Sequence, residues 1–103
     1  MKVFACLLAD IPQDGVHCVS LNEEKYLLYL EGDNVFAVAA TCSHLGGPLE
    51  EGEIANGCVT CPWHHWRFDL KSGHCENVPG QHLRAYSVIT EKGRVYLDLQ
   101  DSL

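Results

Sequence analysis

Short apolar runs separated by clusters of turn residues set the pattern of this chain. Turn signals stand at Pro12-Gln-Asp-Gly15, Glu31-Gly-Asp-Asn34, Gly46-Gly-Pro48, Lys71-Ser-Gly73, Pro79-Gly80 and Glu91-Lys-Gly93. The runs between them are rich in β-branched and aromatic residues, which predicts an all-β domain. Lys25 to Leu30 and Val35 to Ala40 read as the strands of a hairpin closed at Gly32-Asp33. Val95-Tyr-Leu-Asp-Leu99 alternates, with Val95, Leu97 and Leu99 on one face and Tyr96 and Asp98 on the other. Arg84 to Thr90 is expected to pair with it across the Lys92-Gly93 turn. No window long enough for a substantial helix repeats at 3.6 residues, and Leu49-Glu-Glu-Gly52 predicts one brief helical turn. Val3 to Ala9 is apolar but is cut off by Asp10-Ile-Pro12. It is too short and too poorly flanked for a secretory signal or a membrane span, and it predicts a first strand. A soluble, cytoplasmic protein without a membrane partner is the expectation.

At 103 residues the chain is read as one domain, 1–103. So small a chain buries only part of the surface its unfolded form exposes, so a metal centre joining two loops would add stability. Fourteen acidic residues against seven basic ones give a formal net charge of −7. That balance argues against nucleic acid, whose phosphates would repel it. It favours a partner with a basic docking face, reached by electrostatic steering.

The chemistry concentrates in two segments. Cys42-Ser-His44 is followed, after sixteen residues, by Cys61-Pro-Trp-His64. Each delivers one thiolate and one imidazole, in the same order. Thiolates suit iron–sulfur clusters and zinc, and imidazoles suit zinc, copper, iron and nickel. From residue types alone the reading stops at a metal site with mixed Cys and His ligands. A structural zinc module for protein interaction accepts two of each, although common zinc patterns pair Cys with Cys and His with His. Cys6, Cys18, Cys58 and Cys75 read as small buried apolar residues, not as disulfide partners. Cys58-Val-Thr-Cys61 has the form of a redox motif, but no helix is predicted after it and Cys61 belongs to the metal pattern. His17, His74 and His82 show no partner pattern and read as surface residues.

Cys42-Ser-His44-Leu-Gly46 and Cys61-Pro-Trp-His64, running on to Trp66-Arg-Phe-Asp69-Leu-Lys-Ser-Gly73, resemble the two ligand boxes of the Rieske family. The resemblance extends over nearly the whole chain. It implies a β-sandwich or barrel base, residues 1–40 and 82–103, with an inserted cluster-binding lobe, residues 41–81. It implies one [2Fe–2S] cluster, with Cys42 and Cys61 on the inner iron and His44 and His64 on the outer. Gly46 and Gly47 would admit backbone N–H groups close to the inorganic sulfurs, Leu45 would form an apolar tip, and Pro79-Gly80 would match the family's third, screening loop. High-potential members carry a disulfide where this chain has Gly47 and Trp63, and hydroxyl donors where it has Trp66 and Phe68. Losing hydrogen bonds to sulfur lowers the potential, so a low-potential type is implied. The family usually has Gly after the second ligating His, whereas here it is His65; a backbone needing φ > 0 there would strain it.

The functional expectation is a soluble one-electron carrier taking electrons from a flavin-containing reductase and passing them to a terminal oxygenase. A second reading is the small subunit of an assimilatory nitrite reductase, with that enzyme's large subunit as acceptor. It is supported by Ser72-Gly-His-Cys75 and Lys92-Gly-Arg-Val95. The chain has no nucleotide-binding motif and no 2-His-1-carboxylate iron site, so turnover of substrate unaided is not expected.

Overall fold

The computed structural model describes residues 2–41, 48–63 and 65–99. Among these described residues nine strands run β1 Lys2–Leu7, β2 Val16–Leu21, β3 Glu24–Glu31, β4 Asn34–Ala39, β5 Glu53–Ala55, β6 Cys58–Thr60, β7 Arg67–Asp69, β8 Ala85–Glu91 and β9 Arg94–Asp98. Single 3₁₀ turns occupy Leu8–Asp10 and Leu49–Glu51, the second where a helical turn is predicted after Pro48.

The pairings between these strands are antiparallel. Six strands form one sheet in the order β1-β9-β8-β4-β3-β2, which curls into a nearly closed barrel, and β5-β6-β7 form a second sheet. The β3–β4 hairpin pairs Glu31 with Asn34, leaving Gly32-Asp33 as the two-residue turn expected from sequence. In the β8–β9 hairpin Glu91 faces Arg94, and Lys92 and Gly93 both take positive φ, as a type I′ turn requires. A further hairpin, β2–β3, turns at Asn22-Glu23 with φ of 52° and 69°. Its second position carries Glu where glycine would have marked the turn, so the pattern did not reveal it.

β3 explains how the site is attached. Its run Tyr26-Leu-Leu-Tyr-Leu30 is buried throughout and not alternately, because both faces of the strand are covered. Tyr26, Leu28 and Leu30 point to the barrel interior with Val19, Ala37, Val95 and Leu97. Leu27 and Tyr29 point the other way, into a second core with Leu49, Val59, Cys61, Phe68, Leu70, Cys75 and Leu83. That second core joins the small sheet to the barrel. Ion pairs at both ends of β3 reinforce the junction: Lys25 with Glu50 at 2.9 Å, and Glu31 with Lys71 at 2.9 Å. Each lysine holds its carboxylate partner below the usual glutamate range. Exposed pairs of this kind are screened by solvent and contribute little, so the apolar core does most of the joining.

Candidate metal centre

Two backbone devices fix the ends of the sequence-predicted ligand segments. Thr41 and Pro48, which flank the first segment, form an antiparallel bridge, and the Leu49 N–H donates to the Ala40 carbonyl at 2.9 Å. Leu49 is fully buried in the same core as Cys61. Cys42, Ser43, His44, Leu45, Gly46 and Gly47 lie outside the described residues, as does His64.

The second segment begins where β6 ends. The Cys61 N–H donates to the Trp66 carbonyl at 2.8 Å, and the Cys61 carbonyl accepts from the His65 N–H at 2.9 Å, closing a tight turn. His65 sits at φ 63°, in the left-handed region that glycine occupies without strain. The conditional expectation from the family pattern is therefore met: this backbone position does need positive φ. Cys61 is fully buried, whereas Trp63 is 59% exposed at the tip of the turn. Phe68, fully buried beneath, packs near Trp66 with ring centroids 6.4 Å apart. Phe68 has no hydroxyl to offer a buried acceptor.

A third segment locks onto this turn. Asn77 donates from Nδ2 to the His65 carbonyl at 2.9 Å. Its Oδ1 accepts from the Arg67 N–H at 2.9 Å and from the Cys75 thiol at 3.3 Å. Arg67 and Glu76 add a surface ion pair at 3.0 Å. The segment bearing Pro79-Gly80 is thereby tied to the chain around residues 65–67. Sequence reading missed Asn77, because an Asn among Glu76, Pro79 and Gly80 reads as one more turn residue.

Alternation along β6 separates the two cysteines of the C-x-x-C pattern. Val59 and Cys61 face the inner core, while Cys58 faces the opposite side of the sheet. They cannot form a disulfide with each other. Burial, then a hydrogen bond to Glu76, pushes the Cys58 thiol up to about 11. No disulfide occurs among the described cysteines; Cys6, Cys58 and Cys75 are buried as expected, and Cys18 is only half-buried. His74 and His82 are exposed, as read from sequence, and the fold sets them opposite each other in an antiparallel bridge, a pairing that the sequence pattern did not show. His17, expected at the surface, is half-buried on β2.

The donor set tests what such a site can hold. A buried thiolate is poorly stabilised in an apolar core unless a cation neutralises it. Cys61 stands in such a core, and two thiolates with two imidazoles suit a centre with two unlike metal positions. Among the described residues, no three His, Cys, Asp or Glu side chains converge on a metal position.

Residues 1–87 match the model of the Rieske [2Fe-2S] domain, and the chain belongs to that family. Its cofactor is therefore one [2Fe–2S] cluster. The ferredoxin component of the p-cumate 2,3-dioxygenase system of Pseudomonas putida is 32% identical over 97 residues, covering 91% of this chain and 82% of that protein. The fold matches Sphingomonas yanoikuyae B1 ferredoxin with a TM-score of 0.86 at 24% identity, over 97% of this chain and all of the other. A structure assigned by name to the small subunit of an NADPH nitrite reductase matches with a TM-score of 0.76 at 25% identity, over 96% and 99% of the two chains. The first curated relatives matched are much longer proteins, of which this chain spans between 10% and 21%. Among the described residues no helix is long and apolar enough to cross a membrane.

Proposed function

We propose that this domain is a one-electron carrier of the Rieske ferredoxin type, taking electrons from a flavin-containing reductase and delivering them to a terminal oxygenase. Cys42 and Cys61 hold the inner iron as thiolates, and His44 and His64 hold the outer iron as imidazoles. Residues 41–81 act as the cluster-binding lobe and residues 1–40 with 82–103 as its base. The observation that carries the reading is the joining of both box stems to one core. The Thr41–Pro48 bridge leads directly into buried Leu49, which shares that core with Cys61. When bound, the cluster supplies a single reversible electron step at modest potential.

The residues around the site then have definite tasks. The turn from Cys61 to His65 positions the second box, and Asn77 holds that turn in place. Phe68, buried in the same core as Cys61, has no hydroxyl of its own to donate to the sulfur ligands, so it adds nothing that would stabilise the reduced, more negative state. The net charge of −7 suits docking on basic faces of donor and acceptor. The curated ferredoxin relative of similar length supports the oxygenase as acceptor.

The assimilatory nitrite reductase reading keeps the same cluster and changes the acceptor to that enzyme's large subunit. The similar small-subunit structure and the Ser72-Gly-His-Cys75 and Lys92-Gly-Arg-Val95 segments favour it. Adjacent genes, or copurification with a sirohaem protein, separate the two. The test of the common core is direct. Protein isolated without air should contain iron and acid-labile sulfide, be red-brown, and give a rhombic EPR signal on one-electron reduction. Colourless, zinc-loaded protein would overturn the reading.

A further inference from the structure

We infer that His74 and His82 form a two-imidazole site for one late first-row divalent cation such as Ni²⁺ or Zn²⁺, on the face of this strand pair turned away from the core that holds Cys61. The two residues are directly opposite in an antiparallel bridge. The hydrogen bonds on either side, Cys75 N–H to Gln81 carbonyl at 2.9 Å and Leu83 N–H to Gly73 carbonyl at 2.6 Å, identify the kind of pair. It is the non-hydrogen-bonded kind, in which Cα atoms approach to about 4.5 Å and side chains are closest.

Burial shows where both imidazoles go. Gly73, Cys75 and Leu83 are buried, and the last two belong to the core shared with Cys61. His74 and His82, alternating with them, are exposed on the outer face. Metal–imidazole bonds of about 2.0–2.1 Å require two ring nitrogens roughly 3–3.4 Å apart. Opposed Cβ atoms about 4.5–5.5 Å apart bring two imidazoles within that reach.

The scaffold is held on several sides before any ion arrives. The His74 carbonyl accepts from the Asp69 N–H at 2.8 Å, and the His74 N–H donates to Ser72 Oγ at 3.1 Å. A Cβ on Gly73 would collide with the Leu83 carbonyl, so the two segments run together there as closely as backbone permits. Charged neighbours on this face are already engaged. Arg67 pairs with Glu76, and Asp69 Oδ1 accepts from the Lys71 and Ser72 N–H groups. No third side-chain donor converges among the described residues, so water fills the remaining positions. An imidazole pair selects nickel, copper and zinc over magnesium and calcium, which prefer oxygen. An ion bridging the stem would clamp the segment that carries Asn77 and the Pro79-Gly80 turn.

Ni²⁺ titration of the oxidised, cluster-loaded protein in excess Mg²⁺ tests this, with the visible spectrum recorded throughout. One equivalent should bind, and His74→Asn and His82→Asn should each weaken binding at least tenfold, while His17→Asn leaves it unchanged. Saturating Ni²⁺ should raise the melting temperature of the wild type and not that of the doubly substituted protein. Both residues are exposed, so the variants should keep the native spectrum. Equal affinity in wild type and both variants would mean adventitious binding to surface carboxylates and overturn the site. Dependence on only one of the two histidines would overturn it as well.

Discussion

The side chain of Asn77 donates to the main-chain carbonyl of His65 at 2.9 Å, joining two segments twelve residues apart. The same amide accepts from the Arg67 N–H, so one side chain bridges the residues that follow the second ligand box. This bond restrains a residue held at φ 63°, and it connects the Pro79-Gly80 segment to the proposed centre.

Asn77→Ala removes a donor to the His65 carbonyl and an acceptor shared by the Arg67 N–H and the Cys75 thiol. A loss of about 0.5–1.5 kcal/mol is expected, the net worth of an intramolecular hydrogen bond whose groups water can reach. Thermal or urea unfolding of the cluster-loaded protein measures it, and cluster loss on storage should quicken. A variant as stable as the wild type would show that water substitutes for the amide.

His65→Gly relieves left-handed strain of about 1–2 kcal/mol but adds freedom to the unfolded chain worth about 0.5–1 kcal/mol. The net change should be small and non-negative. His65→Val, β-branched at the same φ, should be clearly destabilised. Under the proposed ligand assignment, His65→Gly keeps the rhombic EPR signal and His64→Cys abolishes it. The reverse pattern would make His65 the ligand.

The potential should lie low in the Rieske range, near about −150 mV. Phe68 is buried and offers no hydroxyl, and Trp66 packs beside it. A redox titration giving a midpoint well above zero would refute the argument from missing donors.

Cys6 and Cys58 are each raised from 9.0 to about 11, Cys6 by burial and then by Asp10, Cys58 by burial and then by Glu76. The folded protein therefore retains protons that the unfolded chain releases between these values. The contribution of these two thiols should be unaffected below pH 9 and be lost as pH rises from 9 to about 11, where Tyr26 and Tyr29, also raised by burial, add to the fall. Denaturant midpoints across that window check the sign. Both thiols should also resist alkylation at pH 8 until the protein unfolds.

Gly73→Ala places a methyl group against the Leu83 carbonyl at a residue with φ 82°. The backbone conformation alone costs about 1–2 kcal/mol, and the collision adds to it. Gly32→Ala, with open space around the new methyl, should bear only the conformational cost. Comparing the two by thermal unfolding isolates the contribution of close packing.

The barrel was legible where period and turn chemistry agreed. Val95 and Leu97 alternate with Tyr96 and face the interior, and the Gly32-Asp33 and Lys92-Gly93 turns close their hairpins as read. β5, β6 and β7 are three residues each, too short to show a period, and the β2–β3 turn carries Glu23 where glycine would have signalled it. In the site, the ligand types and spacing were visible because they are chemistry written in residue identity. The Asn77 bonds and the His74–His82 pairing were not, since both arise from segments brought alongside one another only when the chain folds.

The bridge between Thr41 and Pro48 makes the six positions between them a cassette with a fixed socket. A change of sequence between them leaves the barrel's strand pairings in place, because the entry and exit of the chain are already set by main-chain pairing. Diversification of this domain can thus proceed by swapping a short insert, with the host left untouched.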